Sequence, residues 1–184
     1  MLFKNIIRII RSYKFSIIKI FFYEILYIVQ GYKGNNYSFS KNDNIADNIP
    51  CPYFFLVKIN FLLKQYDYKN FFDFGCGSGR VIYYFNRKSL FNEYHGYEIF
   101  DEPYNKCLKL FKEKNNIKIF KKNFEDIKIK KKDSCFFFNL PYAKENEFID
   151  FLKHNKDLIF EKENLIILVN LSKNQLYKID FCEK

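Results

Sequence analysis

Histidine and paired cysteine are scarce in this sequence. The chain has two histidines and five cysteines in 184 residues, and the cysteines, at positions 51, 76, 107, 135 and 182, never form a C-x-x-C pair. Two histidines are too few for a histidine-based metal site. Unpaired, widely spaced cysteines argue against a zinc ribbon and against a scaffold built on disulfides. We therefore expect no bound metal and a reducing, cytoplasmic environment.

Arginine is also rare, although the chain is strongly basic. The formal net charge is +10, yet arginine occurs only at positions 8, 11, 80 and 87, so that nearly all of the positive charge is lysine. Arginine is the side chain that most often binds phosphates and base edges. The charge pattern therefore favours a solvated lysine surface, and we expect no nucleic-acid partner.

Apolar residues are abundant, and they begin at the N-terminus. On a helical wheel over residues 1–30 the basic side chains of Lys4, Arg8, Arg11 and Lys14 share one side, and the other side carries Leu2, Ile6, Ile10, Tyr13 and Ile17. The most apolar part, residues 15–29, contains Lys19 and Glu24 and is shorter than the ~20 residues of a membrane span. A secretory cleavage site does not follow it.

Two interpretations of residues 1–30 stay open. They predict either a helix that covers the main domain or a partner chain, or a basic amphipathic helix that lies on an anionic membrane at its inner surface. Under both interpretations, residues 1–30 are an extension of the main domain. We expect the main domain to bind its ligand without them.

The rest of the chain alternates between strand and helix patterns. Residues 31–49 are polar and aperiodic and predict a linker, after which residues 50–184 form the main domain. Asp101 is the expected N-cap of one helix, with Pro103 in its first turn. We predict strands over residues 71–74, 94–98, 117–121, 134–138 and 164–169, and helices over residues 54–66, 78–90, 101–115 and 144–155. This alternation indicates an α/β fold with a Rossmann-like, doubly wound and mostly parallel sheet.

Glycine is scarce as well, and its distribution is uneven. The chain has six glycines, and half of them, Gly75, Gly77 and Gly79, alternate in the turn between the first predicted strand and its helix. Such a turn lies at the carboxyl edge of a parallel sheet, where ligands bind against bare backbone and the following helix offers amide donors. Arg80 stands where a dinucleotide fingerprint needs its third glycine, and the G-K-[ST] ending of a P-loop is absent.

The turn reads D-x-G-x-G-x-G, with Asp73 closing the strand, and it resembles motif I of the class I S-adenosylmethionine-dependent methyltransferases. The resemblance implies that Asp73 and the backbone of the three glycines hold the amino-acid end of S-adenosylmethionine. Glu98 follows Gly75 by 23 residues at the end of the next strand, where this type of fold places the acid that binds ribose hydroxyls. At the end of the third strand the resemblance implies that Asn123 and Phe124 contact the adenine, with Asp126 as a rival for that contact.

Two further motifs extend the resemblance over roughly residues 48–170. Asn139-Leu140-Pro141-Tyr142 is similar to the [DN]-P-P-[YF] box of amine and amide N-methyltransferases, with leucine replacing the first proline. It implies that Asn139, Pro141 and Tyr142 position an acceptor nitrogen without a strong base. Pro50-Cys51-Pro52-Tyr53 resembles an element of small bacterial methyltransferases of surface-polysaccharide gene clusters and of non-SET lysine methyltransferases. The resemblance implies that Tyr53 closes over the cofactor or the acceptor, and a packing role for Tyr53 stays open.

The chain departs from the family pattern at its C-terminus. Methyltransferase sheets of this type commonly finish with an antiparallel hairpin, but only residues 171–184 follow the segment 164–170 that contains the fifth predicted strand. We expect the final hairpin to be minimal or missing, which would leave an exposed edge, require a partner chain as in a homo-oligomer, or make the chain a shortened or decayed homologue.

The sequence therefore predicts a methyltransferase that transfers a methyl group from S-adenosylmethionine to an acceptor. Nitrogen is the favoured acceptor atom, on a protein side chain or on a small molecule such as a saccharide. Two alternatives are a non-catalytic homologue that binds the cofactor or a partner, and a nucleic-acid methyltransferase.

Overall fold

The computed structural model of the chain describes residues 17–35, 49–123, 126–128, 131–139, 145–159, 161 and 163–169. Its helices are α1 (Ile17–Val29), α2 (Tyr53–Leu63), α3 (Arg80–Arg87), α4 (Asp101–Phe111), α5 (Glu145–His154) and α6 (Lys156–Ile159). Its strands are β1 (Asn70–Phe74), β2 (Glu93–Glu98), β3 (Ile117–Lys121), β4 (Ser134–Asn139) and β5 (Leu165–Val169).

The five strands form one sheet in the order β3-β2-β1-β4-β5, and every pair of neighbours is parallel. Strands β1 and β4 are nearly continuous apolar runs, as expected for strands that are covered on both faces. The strand order reverses between β1 and β4. In open α/β sheets, ligands bind beyond the carboxyl ends of the strands at such a reversal.

Helices cover both faces of the sheet, which makes the fold doubly wound. On one face the side chains of Phe71 and Phe137 pack in a core with α2, α3 and α4. On the other face Phe72, Phe74 and Phe138 pack in a second core with α5 and α6. The alternation of residues between the two cores follows from the two-residue period of a strand.

Helix α1 lies against the first of these cores. Its Ile20 is buried with Phe54 of α2, and the rings of Tyr23 and Phe54 have their centroids 5.7 Å apart. Within the described residues, no helix is both long and apolar enough to cross a bilayer.

The predicted fold class is confirmed, and each predicted strand and helix of the main domain is found within a few residues of its expected bounds. One local prediction was wrong: Phe100 rather than Asp101 is the N-cap of α4, and Asp101 is its first helical residue and pairs with Lys121 of β3. Residues 1–16, and residues 170–184, where the final hairpin is expected to be minimal or missing, lie outside the described residues. The boundaries at residues 30 and 49 stay predictions.

Candidate functional site

The glycine turn leaves the carboxyl end of β1 and bends toward β2. The amides of Gly75 and Cys76 both donate to the carbonyl of Tyr97, at 2.9 Å each. Gly75 and Gly77 have φ values of 80° and 54°, a left-handed conformation that glycine adopts without strain. A β-carbon at Gly75 would meet no atom within 4 Å. The backbone at Gly75 is therefore exposed and open to a ligand.

Gly79 has a different task from Gly75. A β-carbon at this position would lie 2.6 Å from the ring of Phe111 and 2.9 Å from the sulfur of Cys107, both on α4. The missing side chain therefore lets α3 begin in close contact with α4.

The strand register brings the predicted site residues to one edge. Phe74 is aligned with Tyr97 on β2 and with Phe138 on β4. Glu98 and Asn139 therefore end the two strands that flank the glycine turn. Because neighbouring strands are about 4.8 Å apart, their backbones lie roughly 10 Å from each other across β1.

The carboxylate of Glu98 is buried and binds backbone amides. It accepts hydrogen bonds from Gly77 at 2.9 Å, from Ile99 at 2.8 Å and from Phe100 at 2.9 Å. Burial raises the pKa of this carboxyl and these three hydrogen bonds oppose the rise. A carboxylate has about four acceptor positions, so one more donor can bind there without displacing the glycine turn.

Asp73 is the last residue but one of β1, just before the turn, and it is 1% exposed. Its Oδ2 atom has no hydrogen-bond partner among the described residues. Burial, and the nearby charge of Glu98 to a smaller extent, hold the pKa of Asp73 well above its usual value. A buried carboxyl of this kind is costly in the absence of a positive partner, so a cationic group placed beside it would be stabilising.

Asn139 connects two of the sequence motifs. Its Nδ2 donates to the carbonyl of Ile49 at 2.9 Å, directly before the Pro50-Cys51-Pro52-Tyr53 segment. The two motifs, 90 residues apart in the chain, therefore meet at the carboxyl edge of β4. Asn123 is half-buried beyond the end of β3.

Tyr53 is fully buried at the first turn of α2. Its hydroxyl donates to Oδ1 of Asn35 at 2.6 Å, and the guanidinium of Arg80 lies 4.6 Å from the centre of its ring. These contacts are those of a packing anchor, and a contact of Tyr53 with a cofactor stays a prediction. Phe124, Pro141 and Tyr142 lie outside the described residues.

An ion pair that the sequence did not reveal lies behind the glycine turn. Arg80, the first residue of α3, is buried, and its Nη1 donates to both carboxylate oxygens of Glu24 on α1, at 3.0 and 2.9 Å, and to the carbonyl of Cys51 at 3.3 Å. Oε1 of the same glutamate accepts from the amide of Tyr53 at 3.0 Å. One carboxylate of α1 therefore holds the starts of both α2 and α3.

Two apolar side chains at this edge were not predicted as site residues from the sequence. Ile99 and Phe100 directly follow Glu98 and are 49% and 40% exposed. They lie between the site acid and α4 at the carboxyl edge of the sheet. The sequence signal for these two residues is their position directly after the acid that ends β2, because apolar side chains at the carboxyl end of a strand can face a ligand.

No protein-family model matches the chain, and no curated protein matches it. Solved structures do. An rRNA methylase from Streptococcus thermophilus has 14% identity and a TM-score of 0.51, with 66% of this chain and 75% of that chain covered. The plantazolicin methyltransferase BpumL, in complex with a pentazolic analogue and SAH, has 16% identity and a TM-score of 0.51, with 67% and 49% covered.

A third match is a SAM-dependent methyltransferase from Leishmania major, with 16% identity, a TM-score of 0.49 and 59% of this chain covered. This chain spans 46% of the length of that protein. The first two of these matches show the fold: the chain has the class I fold of SAM-dependent methyltransferases. The finer resemblance, to enzymes of polysaccharide gene clusters and to lysine methyltransferases, stays a prediction.

Proposed function

We propose that this protein transfers a methyl group from S-adenosylmethionine to an acceptor nitrogen. The observation that carries the proposal is the buried carboxyl of Asp73, whose Oδ2 has no hydrogen-bond partner in the described part of the chain, beside the open backbone at Gly75. S-adenosylmethionine carries an ammonium group that matches such a carboxyl, and the fold is one that such methyltransferases use.

Each part of this cofactor has a candidate partner among the described residues. Asp73 would bind the ammonium group, and the bare backbone at Gly75 would lie against the amino-acid end. Glu98 would accept a hydrogen bond from a ribose hydroxyl at its remaining acceptor position. Ile99 and Phe100 would offer apolar surface to the adenine ring, and Asn123 would bind its polar edge.

Acceptor chemistry is assigned to the end of β4. The sulfonium group of the cofactor supplies an activated methyl group. An amine must present its lone pair in line with that methyl, so groups that accept its hydrogen atoms orient it without a strong base. The side chain of Asn139 carries a carbonyl oxygen, a group of the type that accepts such hydrogen bonds. Its amide group, bound to the carbonyl of Ile49, limits the rotation of the side chain.

Isothermal titration calorimetry with S-adenosylhomocysteine, S-adenosylmethionine and NAD tests the proposal. We expect both adenosyl ligands to bind and NAD not to bind. Gly75→Ala should abolish binding, because its new methyl group occupies the space where the ligand lies. Gly31→Ala is the matched control, since Gly31 also has a positive φ, 74°, and its β-carbon would also meet no atom within 4 Å.

Equal losses in the two glycine variants would mean that backbone strain, not ligand space, explains the effect. Binding of NAD in place of the adenosyl ligands would refute the proposal. Tight cofactor binding without methyl transfer to any fraction of a cell lysate would instead support the alternative of a non-catalytic homologue.

A further inference from the structure

The outward side of α1 is strongly apolar. Its large apolar side chains with the highest exposure are Ile18 at 79%, Phe21 at 67%, Phe22 at 62%, Ile25 at 48%, Ile28 at 51% and Val29 at 80%. We call these six residues the outer face of α1. Their spacing of three, four and seven residues places them along one side of the helix.

The opposite side of α1 is already occupied. Ile20, Tyr23, Glu24 and Tyr27 face the domain and pack on α2 or pair with Arg80. Helix α1 is thus apolar on two sides, whereas a helix on the surface of a water-soluble domain is polar on its outer side. An apolar patch of this size, made by adjacent aromatic and aliphatic side chains, is typical of an interaction surface.

Charge distinguishes between two candidates that could cover the outer face: a second copy of the chain and an anionic membrane. Residues 1–16, which lead directly into α1, contain Lys4, Arg8, Arg11 and Lys14 and no acidic residue. Within α1 Lys19 points outward, and the acidic Glu24 turns inward to Arg80. A second copy of the chain would bring two basic segments together. An anionic lipid surface would instead complement them, because basic residues next to a membrane are attracted to anionic headgroups.

We propose that the outer face of α1 binds an anionic membrane surface, with the helix lying along the headgroups. The apolar side chains enter the boundary between headgroups and acyl chains, and the basic residues that precede them bind anionic lipid. The 13 residues of α1 are too few to span a bilayer, for which about 20 are needed, but they suffice for a helix in the interface. This inference is independent of the chemistry at the glycine turn.

Vesicle co-sedimentation of the full chain tests the proposal. One vesicle is phosphatidylcholine alone, and the other is an equal mixture of phosphatidylcholine and phosphatidylglycerol. We expect binding to the mixed vesicles that weakens as salt rises and little binding to phosphatidylcholine alone. Phe21→Asp should weaken binding to the mixed vesicles about tenfold or more, because it removes a large apolar contact and adds a repelled charge.

Leu108→Asp is the control, because Leu108 is an exposed apolar residue, 39%, on α4. It should leave vesicle binding unchanged, and both variants should bind S-adenosylhomocysteine like the parent. Equal binding by parent and Phe21→Asp would overturn the proposal. So would a dimer in light scattering that Phe21→Asp dissociates, or a monomer without vesicle binding, which would mean that residues 1–16 cover the face themselves.

Discussion

Asp73 shows at the scale of one residue how a ligand site costs stability. The carboxyl is buried, its Oδ2 has no partner among the described residues, and its pKa is raised well above the usual value, first by desolvation and then by Glu98. A cationic ligand beside this carboxyl would offset the cost of burying its charge.

We expect Asp73→Asn to weaken binding of S-adenosylmethionine by about tenfold or more, because a hydrogen bond to a charged group contributes ~1.5–3 kcal/mol. The melting temperature at pH 7 should not fall, since the amide has nearly the same shape and no charge to bury. Calorimetry and thermal unfolding measure the two quantities. A variant that binds the cofactor like the parent would contradict the assigned role.

The raised pKa of Asp73 also predicts a pH dependence. The folded protein holds this proton at pH values where the unfolded chain has lost it, so the favourable contribution of the protonated form is complete below the unfolded pKa and is lost as pH rises through the folded pKa. A cationic ligand favours the ionised form. Affinity for S-adenosylmethionine should therefore rise with pH between the unfolded and the folded pKa of Asp73. Asp73→Asn should flatten the pH dependence of both stability and affinity.

Asn139 belongs to the acceptor side of the same edge. We expect Asn139→Ala to lower methyl transfer by ~100-fold or more, the effect of losing one positioning interaction, while cofactor affinity stays close to that of the parent. Glu98→Ala is the matched comparison and should mainly weaken cofactor binding, since its carboxylate contacts the glycine turn. Unchanged transfer in Asn139→Ala would make the Asn-Leu-Pro-Tyr segment a structural turn.

At the scale of elements, the sequence predicted what local patterns encode. Strand β3 was expected over residues 117–121 and is found there, because its apolar residues are bounded by polar turns. The glycine turn and Glu98 were found from spacing along the chain. The pair of Glu24 and Arg80 was not, because its members are 56 residues apart and nothing in either local segment marks the contact.

The Glu24–Arg80 pair makes α1 part of the support of the glycine turn. We expect Glu24→Ala to lower the free energy of unfolding by about 3 kcal/mol, because it leaves the buried guanidinium of Arg80 without its carboxylate. Glu102→Gln serves as the control. That glutamate pairs with Lys106 on the surface of α4 with its side chain 73% exposed, and its loss should have no measurable effect. Urea denaturation measures both variants, and equal effects would contradict the structural assignment.

At the scale of the whole molecule, α1 completes a core of aromatic rings rather than adding to a finished domain. Tyr27 stacks on Tyr53 with the ring centroids 4.8 Å apart and meets the edge of Tyr84 at 5.5 Å. Tyr53 and Tyr84 are 0% and 1% exposed in the folded chain. The helix that presents an apolar face outward therefore also closes the core on its inner side.

This arrangement argues against the expectation that residues 1–30 are not required for cofactor binding. A chain that begins at Gly31 loses the carboxylate that holds Arg80 and exposes two buried tyrosines. We expect its melting temperature to fall by about 10 °C, since ~1 kcal/mol corresponds to about 2–4 °C at this size and the broken pair alone costs about 3 kcal/mol. S-adenosylhomocysteine should bind it at least tenfold more weakly. A chain that begins at Lys14 keeps α1 and is the control, and differential scanning calorimetry and titration calorimetry compare the two. If both chains melt and bind alike, α1 is an independent extension and the ion pair does not support the site.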